Sequence, residues 1–524
     1  MSNPFRQTTP SGKTGHIPVS QYFLIVVLCG VVWRFLHLGL YFEMTGDESN
    51  IIRSVMEREY AGLLQPLGYG AVSPPLFLWM TKFLDSCFQN EWGVRLVPFL
   101  AGLAAVGIFW RICCETLYGP ARWLAWAILC VSYVPVAEGT RSKGYTIDLL
   151  VAMVMLWLML QWLNKGHKAR YLAWLALCAP LLVWLSYTSV FVIGAIGMIF
   201  AAWLLKKLFV NRTVQQGDGL DWKSVLAGLS FMILAAIAAI YLYHTNIGPS
   251  LQAKHRERVD ELWKAGFPPS GQFWKIPLWL LTVHTGRGFA WPVGEDHFGS
   301  TLTTVLWATG LITYWQRGSK WVWTLFVAPQ ALSLAAAFLH KYPYLANPRI
   351  SMFLGPGICV FMGTGVQFLI DRTRGERRLP LYRFTALVLA LCAVGGIARD
   401  VIQRTREIKG PGIRSTLAEA SRQVGAEGQF VVLNFGNGSG VFNYYIRRGI
   451  GQRPWSSEKI PEQITAGQRI AFVAGASEND KSDRDRLVQD LEKKVGRPVR
   501  IVWSRIAHQI LQDNKDSFDV WVCE

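Results

Sequence analysis

The sequence predicts a polytopic α-helical membrane protein of about eleven spans, followed by a C-terminal extracytoplasmic α/β domain. Three observations carry this expectation. Of 524 residues, 51% are hydrophobic, 23 are Trp and only 17% are charged, whereas a soluble domain carries about a quarter charged residues. The apolar residues fall in blocks whose lengths approach the roughly 20 residues a helix needs to cross a bilayer. Beyond about residue 399 the blocks stop, and short Val-, Ile- and aromatic-rich stretches alternate with polar ones.

The first block, Tyr22–Leu40, follows a polar tail whose basic residues are Arg6 and Lys13. No small-residue cleavage site follows it, so it reads as a retained first helix behind a cytoplasmic tail, residues 1–19. The next blocks are Val94–Ile112, Trp123–Val136, Ile147–Leu163, Tyr171–Leu185, Val190–Leu205 and Val225–Tyr243. Leu302–Trp315, Trp321–Leu339, Ile350–Ile370 and Leu381–Ile397 complete a membrane domain over residues 20–400. Leu76–Phe88 and Ile276–Val283 are apolar but shorter, as expected of surface-lying or re-entrant helices.

Lys and Arg orient the chain. With the N-terminus inside, the cytoplasmic loops hold Lys165 to Arg170, Lys206, Lys207, Arg212, Arg317 and Lys320. They also hold the segment Arg372 to Arg383, with five Arg in twelve residues. The opposite loops, near 41–92, 138–145, 244–299 and 340–349, are sparser in basic residues. The net charge of +18 is therefore topogenic loop and tail charge and excludes a nucleic-acid partner. The nine Cys lie mostly inside apolar blocks, without metal-ligand spacing, and read as small buried apolar residues.

The domain from 401 to 524 is expected to hold strands at Gln429–Phe435, Arg469–Ala474, Arg500–Trp503 and Phe518–Cys523, with helices at Gly438–Arg447 and Ser482–Lys494. Eleven spans and an inside start place it outside the cytoplasm.

The groups able to carry chemistry gather in the outer loops. The first, Phe42-Glu43-Met44-Thr45-Gly46-Asp47-Glu48, sets two adjacent carboxylates directly after a span. Carboxylates at a bilayer surface are costly unless used or paired, and Asp47 suits a general base for an attacking hydroxyl. Glu48 suits an acceptor-orienting or metal-binding role. The plain alternative is a helix cap, with Asp47 or Gly46 starting a helix toward Arg58. Arg95 opens the second span four residues after Glu91 and suits an electrostatic role beside the first outer loop, with snorkelling or pairing with Glu91 as the competing explanation. The loop Glu138-Gly139-Thr140-Arg141-Ser142-Lys143-Gly144-Tyr145 puts two cations where lipid headgroups are also found, with Asp148 a turn beyond Tyr145. Fixed cations of this kind stabilise a departing phosphate. Arg349 closes a basic, aromatic loop that begins at His340.

In order, Gly46-Asp47-Glu48, Ser73-Pro74-Pro75-Leu76, Glu91 with Arg95-Leu96-Val97-Pro98, Lys143-Gly144-Tyr145-Thr146-Ile147-Asp148, and Tyr342-Pro343 with Arg349 resemble the GT-C membrane glycosyltransferases. The likeness is to the type of protein O-mannosyltransferases and lipid A aminoarabinose transferases (glycosyltransferase families 39 and 83), and it spans residues 20 to 370. It implies an inverting transfer from a polyprenyl-phosphate sugar to a lipid, glycan or protein acceptor, in a bacterial inner membrane. Asp47 resembles the family's acid/base position and Glu48 its neighbour. Arg141, Lys143, Tyr145 and Arg349 would hold the donor phosphate, with Arg95, Glu138 and Asp148 in support. Relatives often carry a carboxylate where Arg141 stands, so the division of labour among Arg141, Lys143 and Glu138 stays open. The resemblance leaves a divalent metal ion open as well, with Asp47 and Glu48 as its ligands if one is used. The rival function is a transporter or flippase for a lipid-linked sugar, which would place ionisable residues along a path through the spans.

Overall fold

A computed structural model describes residues 18–68, 71–209, 221–250, 263–294, 298–409, 412–425, 429–432, 441–442, 444–446, 448, 455–457, 469–475, 485, 488–493, 498–510 and 515–524. Arg6, Lys13, Arg212 and parts of the expected helices Gly438–Arg447 and Ser482–Lys494 lie outside the described residues.

The helices follow the apolar blocks. They are α1 (Val19–Leu40), α2 (Gly46–Glu57), α3 (Pro75–Phe88), α4 (Glu91–Thr116), α5 (Pro120–Cys130), α6 (Tyr133–Glu138), α7 (Tyr145–Asn164), α8 (Ala169–Leu185), α9 (Ser189–Phe209) and α10 (Trp222–Leu242). Then come α11 (Ile276–Thr285), α12 (Thr301–Arg317), α13 (Lys320–Phe338), α14 (Gly355–Asp371), α15 (Gly375–Lys409) and α16 (Ile413–Val424). Among the described residues, eight helices are long and apolar enough to cross a membrane, against the eleven expected. The expected spans on α8, α12 and α5 coincide with shorter helices of 17, 17 and 11 residues.

One expected span is broken. Trp123–Val136 divides into α5 and α6 at Val131 and Ser132. A break in an apolar bundle frees carbonyls that lipid cannot satisfy. Arg34, buried on α1, donates to the carbonyls of Cys130 and Leu129, and the Ser132 hydroxyl donates to Ile128 at 2.7 Å. Gly30 lets α1 approach this break: a Cβ there would stand 2.4 Å from the Cys130 carbonyl oxygen.

Helices α12 and α14 cross backbone against backbone. A Cβ on Gly310 would lie 1.7 Å from the Phe361 carbonyl oxygen, so the small residue sets the helix separation. Gly310→Val is expected to force the pair apart and cost about 3 kcal/mol, the upper end for overpacking. A thermal melt of the detergent-solubilised protein checks this, and an unchanged midpoint would show that the crossing yields freely.

Helix α15 has 35 residues, about 52 Å at 1.5 Å per residue, well over the roughly 30 Å hydrocarbon core. It runs through the expected domain boundary at 401 and carries the chain to α16. The sheet beyond it has the order β2-β1-β3-β5-β4, with β1 (Gln429–Val432), β2 (Trp455–Ser457), β3 (Ile470–Gly475), β4 (Ile501–Ile510) and β5 (Lys515–Cys523). β1 is parallel to β2 and β3, whereas β5 is antiparallel to β3 and β4. Side chains alternate with the strand period. Phe430, Val432, Ala471, Val520 and Val522 pack with Leu417 and Ala420 of α16, while Val431, Phe472 and Trp521 form the core of the opposite face with Leu491.

The first face does not close on its own domain. Met44, Ile52 and Val94, from the segments after α1 and at the start of α4, belong to the same core.

Candidate active site at one end of the bundle

The loops expected on one side meet at one end of the bundle. The Tyr187 hydroxyl donates to the Ser73 carbonyl and to Asn246, the Tyr344 amide donates to the Gly266 carbonyl, and Arg349 reaches Asp47. Four separated stretches of chain thus build a single surface above α1, α4 and α7.

Helix α2 presents the carboxylates. Thr45 is its N-cap: the Thr45 hydroxyl accepts from the Glu48 amide, and the Glu48 carboxylate accepts from the Thr45 amide at 3.0 Å. This reciprocal pair is a capping box. The cap falls one residue before Gly46, and Asp47 and Glu48 occupy the first turn, where carboxylates complement the helix dipole.

The two neighbours have opposite environments. Glu48 is 1% exposed and spent on protein partners: besides Thr45 it accepts from the Ser142 amide at 2.9 Å and pairs with Arg95 at 3.4 Å. Burial alone would raise its carboxyl; Arg95, Arg141 and the Thr45 and Ser142 amides outweigh it and hold the group below the usual carboxylate range. Both oxygens of Glu48, expected to orient an acceptor or bind a metal, are thus engaged by protein groups. Asp47, by contrast, is 41% exposed and lies 3.8 Å from the Lys143 ammonium and 3.5 Å from the Arg349 guanidinium.

Arg349 also stands over the rings of Tyr145 and Trp263, 5.9 and 5.6 Å from their centroids. Burial opposes its charge, but Tyr145, Glu138 and Asp47 favour it and raise its guanidinium above the ordinary value. Cation and aromatic faces side by side suit a phosphate joined to a sugar ring or an isoprenoid. Arg141, expected among the phosphate cations, has a protein partner. It turns to Glu138, Nη1 to Oε1 at 2.7 Å, rather than to Asp47. This pairing accounts for a cation at that position, because the second Glu138 oxygen is buried without a hydrogen-bond partner among the described residues and the carboxylate needs a counter-charge. Asp148 sits one turn below Tyr145 beside the hydroxyls of Ser186 and Thr188, in the floor of the same region.

Arg95 is 4% exposed and bridges Glu48 and Glu91, which lies 3.5 Å away. Its simple pairing with Glu91 was the competing expectation; both carboxylates use it. Sequence reasoning did not single out Glu43 or Arg414, which complete this network, or place Trp263 at the site. Trp263 carried an aromatic-loop signal at the membrane surface; the isolated Arg414 carried none.

The donor set does not suit a divalent cation. Glu48 has its oxygens committed, and Asp47 is flanked by two cations that would repel a metal ion. No cluster of three or more His, Cys, Asp or Glu with metal-binding geometry occurs among the described residues.

The chain is thus a helical membrane bundle whose loops at one end bring a partly exposed carboxylate beside two cations, with an α/β domain packed against them. The sequence matches no protein-family model and no curated protein. In fold it is similar to the solved structure of ArnT from Cupriavidus metallidurans bound to undecaprenyl phosphate, with a TM-score of 0.57 and 11% identity over 96% of this chain and 98% of that one. The apo state of the same protein gives 0.56 and 12% over the same shares. The Archaeoglobus fulgidus oligosaccharyltransferase in its apo form matches at 0.47 and 13%, over 83% of this chain and 64% of that one.

Proposed function

We propose that the chain is a glycosyltransferase that moves a sugar from a polyprenyl-phosphate donor to an acceptor on the extracytoplasmic face of a bacterial inner membrane. The observation that carries this reading is the partly exposed Asp47 carboxylate held between Lys143 and Arg349 at one end of the bundle. The fold likeness to a protein solved with undecaprenyl phosphate supports a lipid-phosphate donor.

Asp47 takes the proton of an acceptor hydroxyl or amine. The freed electron pair attacks the anomeric carbon, the bond from that carbon to the phosphate oxygen breaks, and polyprenyl phosphate departs with the bonding pair. Attack opposite the leaving group inverts the anomeric centre. Lys143 and Arg349 meet the negative charge as it grows on the phosphate oxygen, and the Tyr145 and Trp263 rings flank the guanidinium. Glu48 and Arg95 act indirectly, by fixing the helix that carries Asp47. The charged groups of the candidate site gather at one end of the bundle, which favours transfer over carriage of a lipid-linked sugar along a path.

Purified protein incubated with labelled polyprenyl-phosphate sugars should release polyprenyl phosphate and yield a labelled acceptor. No release from any such donor would sink the reading. Lys143→Met and Arg349→Met should each weaken binding of undecaprenyl phosphate about 10- to 100-fold, the worth of one charge-assisted bond. Arg141→Met should have a smaller effect on that binding, because its guanidinium already serves Glu138.

A further inference from the structure

The C-terminal domain grips the segment that leads into α2. Arg414, in the first turn of α16, donates to both oxygens of Glu91 at 2.7 and 2.6 Å and to the carbonyls of Tyr41 and Phe42 at 2.8 and 3.3 Å. Its guanidinium also lies over the rings of Tyr41 and Tyr445. Glu43 returns the grip: its carboxylate accepts from the amides of Ile413 and Arg414 at 3.2 and 3.0 Å, capping α16 from the membrane side. The Met44 amide donates to the Tyr445 hydroxyl at 2.8 Å. Residues 41 to 44 are thus tied to the domain one after another, immediately before the Thr45 cap.

From Glu91 the contacts continue to Arg95, from Arg95 to Glu48, and from Glu48 to the Ser142 amide, one residue from Lys143. Under this chain of charges, Met44, Ile52 and Val94 pack on Ile413, Leu417, Tyr445 and Val520. The buried face of α2 therefore has the domain as part of its core. Both Glu91 oxygens take Nη2 of Arg414 while the Tyr41 carbonyl takes Nη1, so these charge-assisted bonds fix the orientation of the guanidinium and not merely its proximity.

We infer that the C-terminal domain is a positioning element of the reaction site, with Arg414 and Glu43 clamping the α1–α2 segment so that α2 presents Asp47 beside Lys143 and Arg349. The inference rests on the proposed transferase for what the site does. The clamp itself is read without any transfer. Lys143 and Arg349 sit on other segments, so loosening the clamp should displace Asp47 while leaving the phosphate cations in place.

The test uses the full chain in lipid nanodiscs, as wild type, Arg414→Leu, Arg414→Lys and the milder Glu43→Gln. Amide hydrogen exchange over residues 46–57 should be at least about tenfold faster in Arg414→Leu, with smaller increases in the other two, since local opening follows the loss of the contacts that hold an element. Affinity for undecaprenyl phosphate should stay within about threefold of wild type while kcat for transfer falls about 10- to 100-fold, the sensitivity of a reacting geometry to a displacement near 1 Å. Unchanged exchange in α2 in Arg414→Leu overturns the clamp. So does a parallel loss of phosphate binding and of protection across the spans in Arg414→Leu and Glu43→Gln together, which would make these residues supports of the whole fold. Wild type that transfers no sugar from any donor refutes the transferase reading, and the exchange measurement still decides the clamp.

Discussion

Asp47→Asn should lower sugar transfer by about 100- to 10,000-fold, the range associated with a positioned general base, while the protein still inserts and folds. The amide keeps the shape of the side chain in the first turn of α2 but cannot take the acceptor's proton. The substitution also separates the proposed base role of this carboxylate from its ion pairing. In the wild type the Asp47 carboxylate pairs with Lys143 and Arg349, 3.8 and 3.5 Å away. Removing that charge frees both cations, so undecaprenyl phosphate should bind the variant at least as tightly as wild type. Transfer assays with labelled donor and lipid-phosphate binding in nanodiscs check the two halves. Near-normal transfer would remove Asp47 from the mechanism, and lost phosphate binding would show that its charge organises the cations.

Arg95→Met carries the largest expected cost in stability. Arg95 stands between Glu48 and Glu91, both buried, and taking one partner from a buried charge cluster costs about 3–5 kcal/mol. Glu91 keeps Arg414, whereas Glu48 keeps the more distant Arg141, the Thr45 hydroxyl and its two amide donors. The pH dependence reports the cause. In wild type the Glu48 carboxyl is held below the ordinary range. Its contribution to stability is therefore present above the unfolded value of about 4.3 and is lost as pH falls through the lower folded value. Without Arg95, burial dominates and pushes the folded value up. The variant should then lose stability relative to wild type as pH rises from about 4 toward neutrality. Thermal midpoints of both proteins across pH 4 to 7 measure the difference. A constant offset with no pH trend would mean that Arg95 supports the fold by packing alone.

The local part of the site is legible in the chain. Thr45-Gly46-Asp47-Glu48 has the spacing of a capping box, and a helix start near Gly46 follows from it. Lys143 and Arg349 fall in loops that the distribution of Lys and Arg assigns to one side of the membrane, and both reach Asp47. The fates of the two carboxylates were not legible. Adjacent residues on one helix turn look alike in sequence, and which one is buried depends on Arg95, 47 positions away, and Ser142, 94 positions away. Arg414 lies 323 positions from Glu91, and nothing near it in sequence announces a partner. The break between α5 and α6 was hidden for a related reason. Apolar length does not reveal a gap that Arg34, on a different helix, makes tolerable by satisfying the freed carbonyls.

By itself the sequence determined what short-range physics controls: the apolar blocks that become helices, a helix start near Gly46, and the starts of β1, β3 and β4 to within one residue. Only the tertiary structure decided which carboxylate stays in contact with solvent, which cation serves it, and that the C-terminal domain shares a core with α2. These outcomes turn on desolvation and on pairing between charges far apart in the chain. Such energies depend on distances in space, which no local pattern of residues encodes.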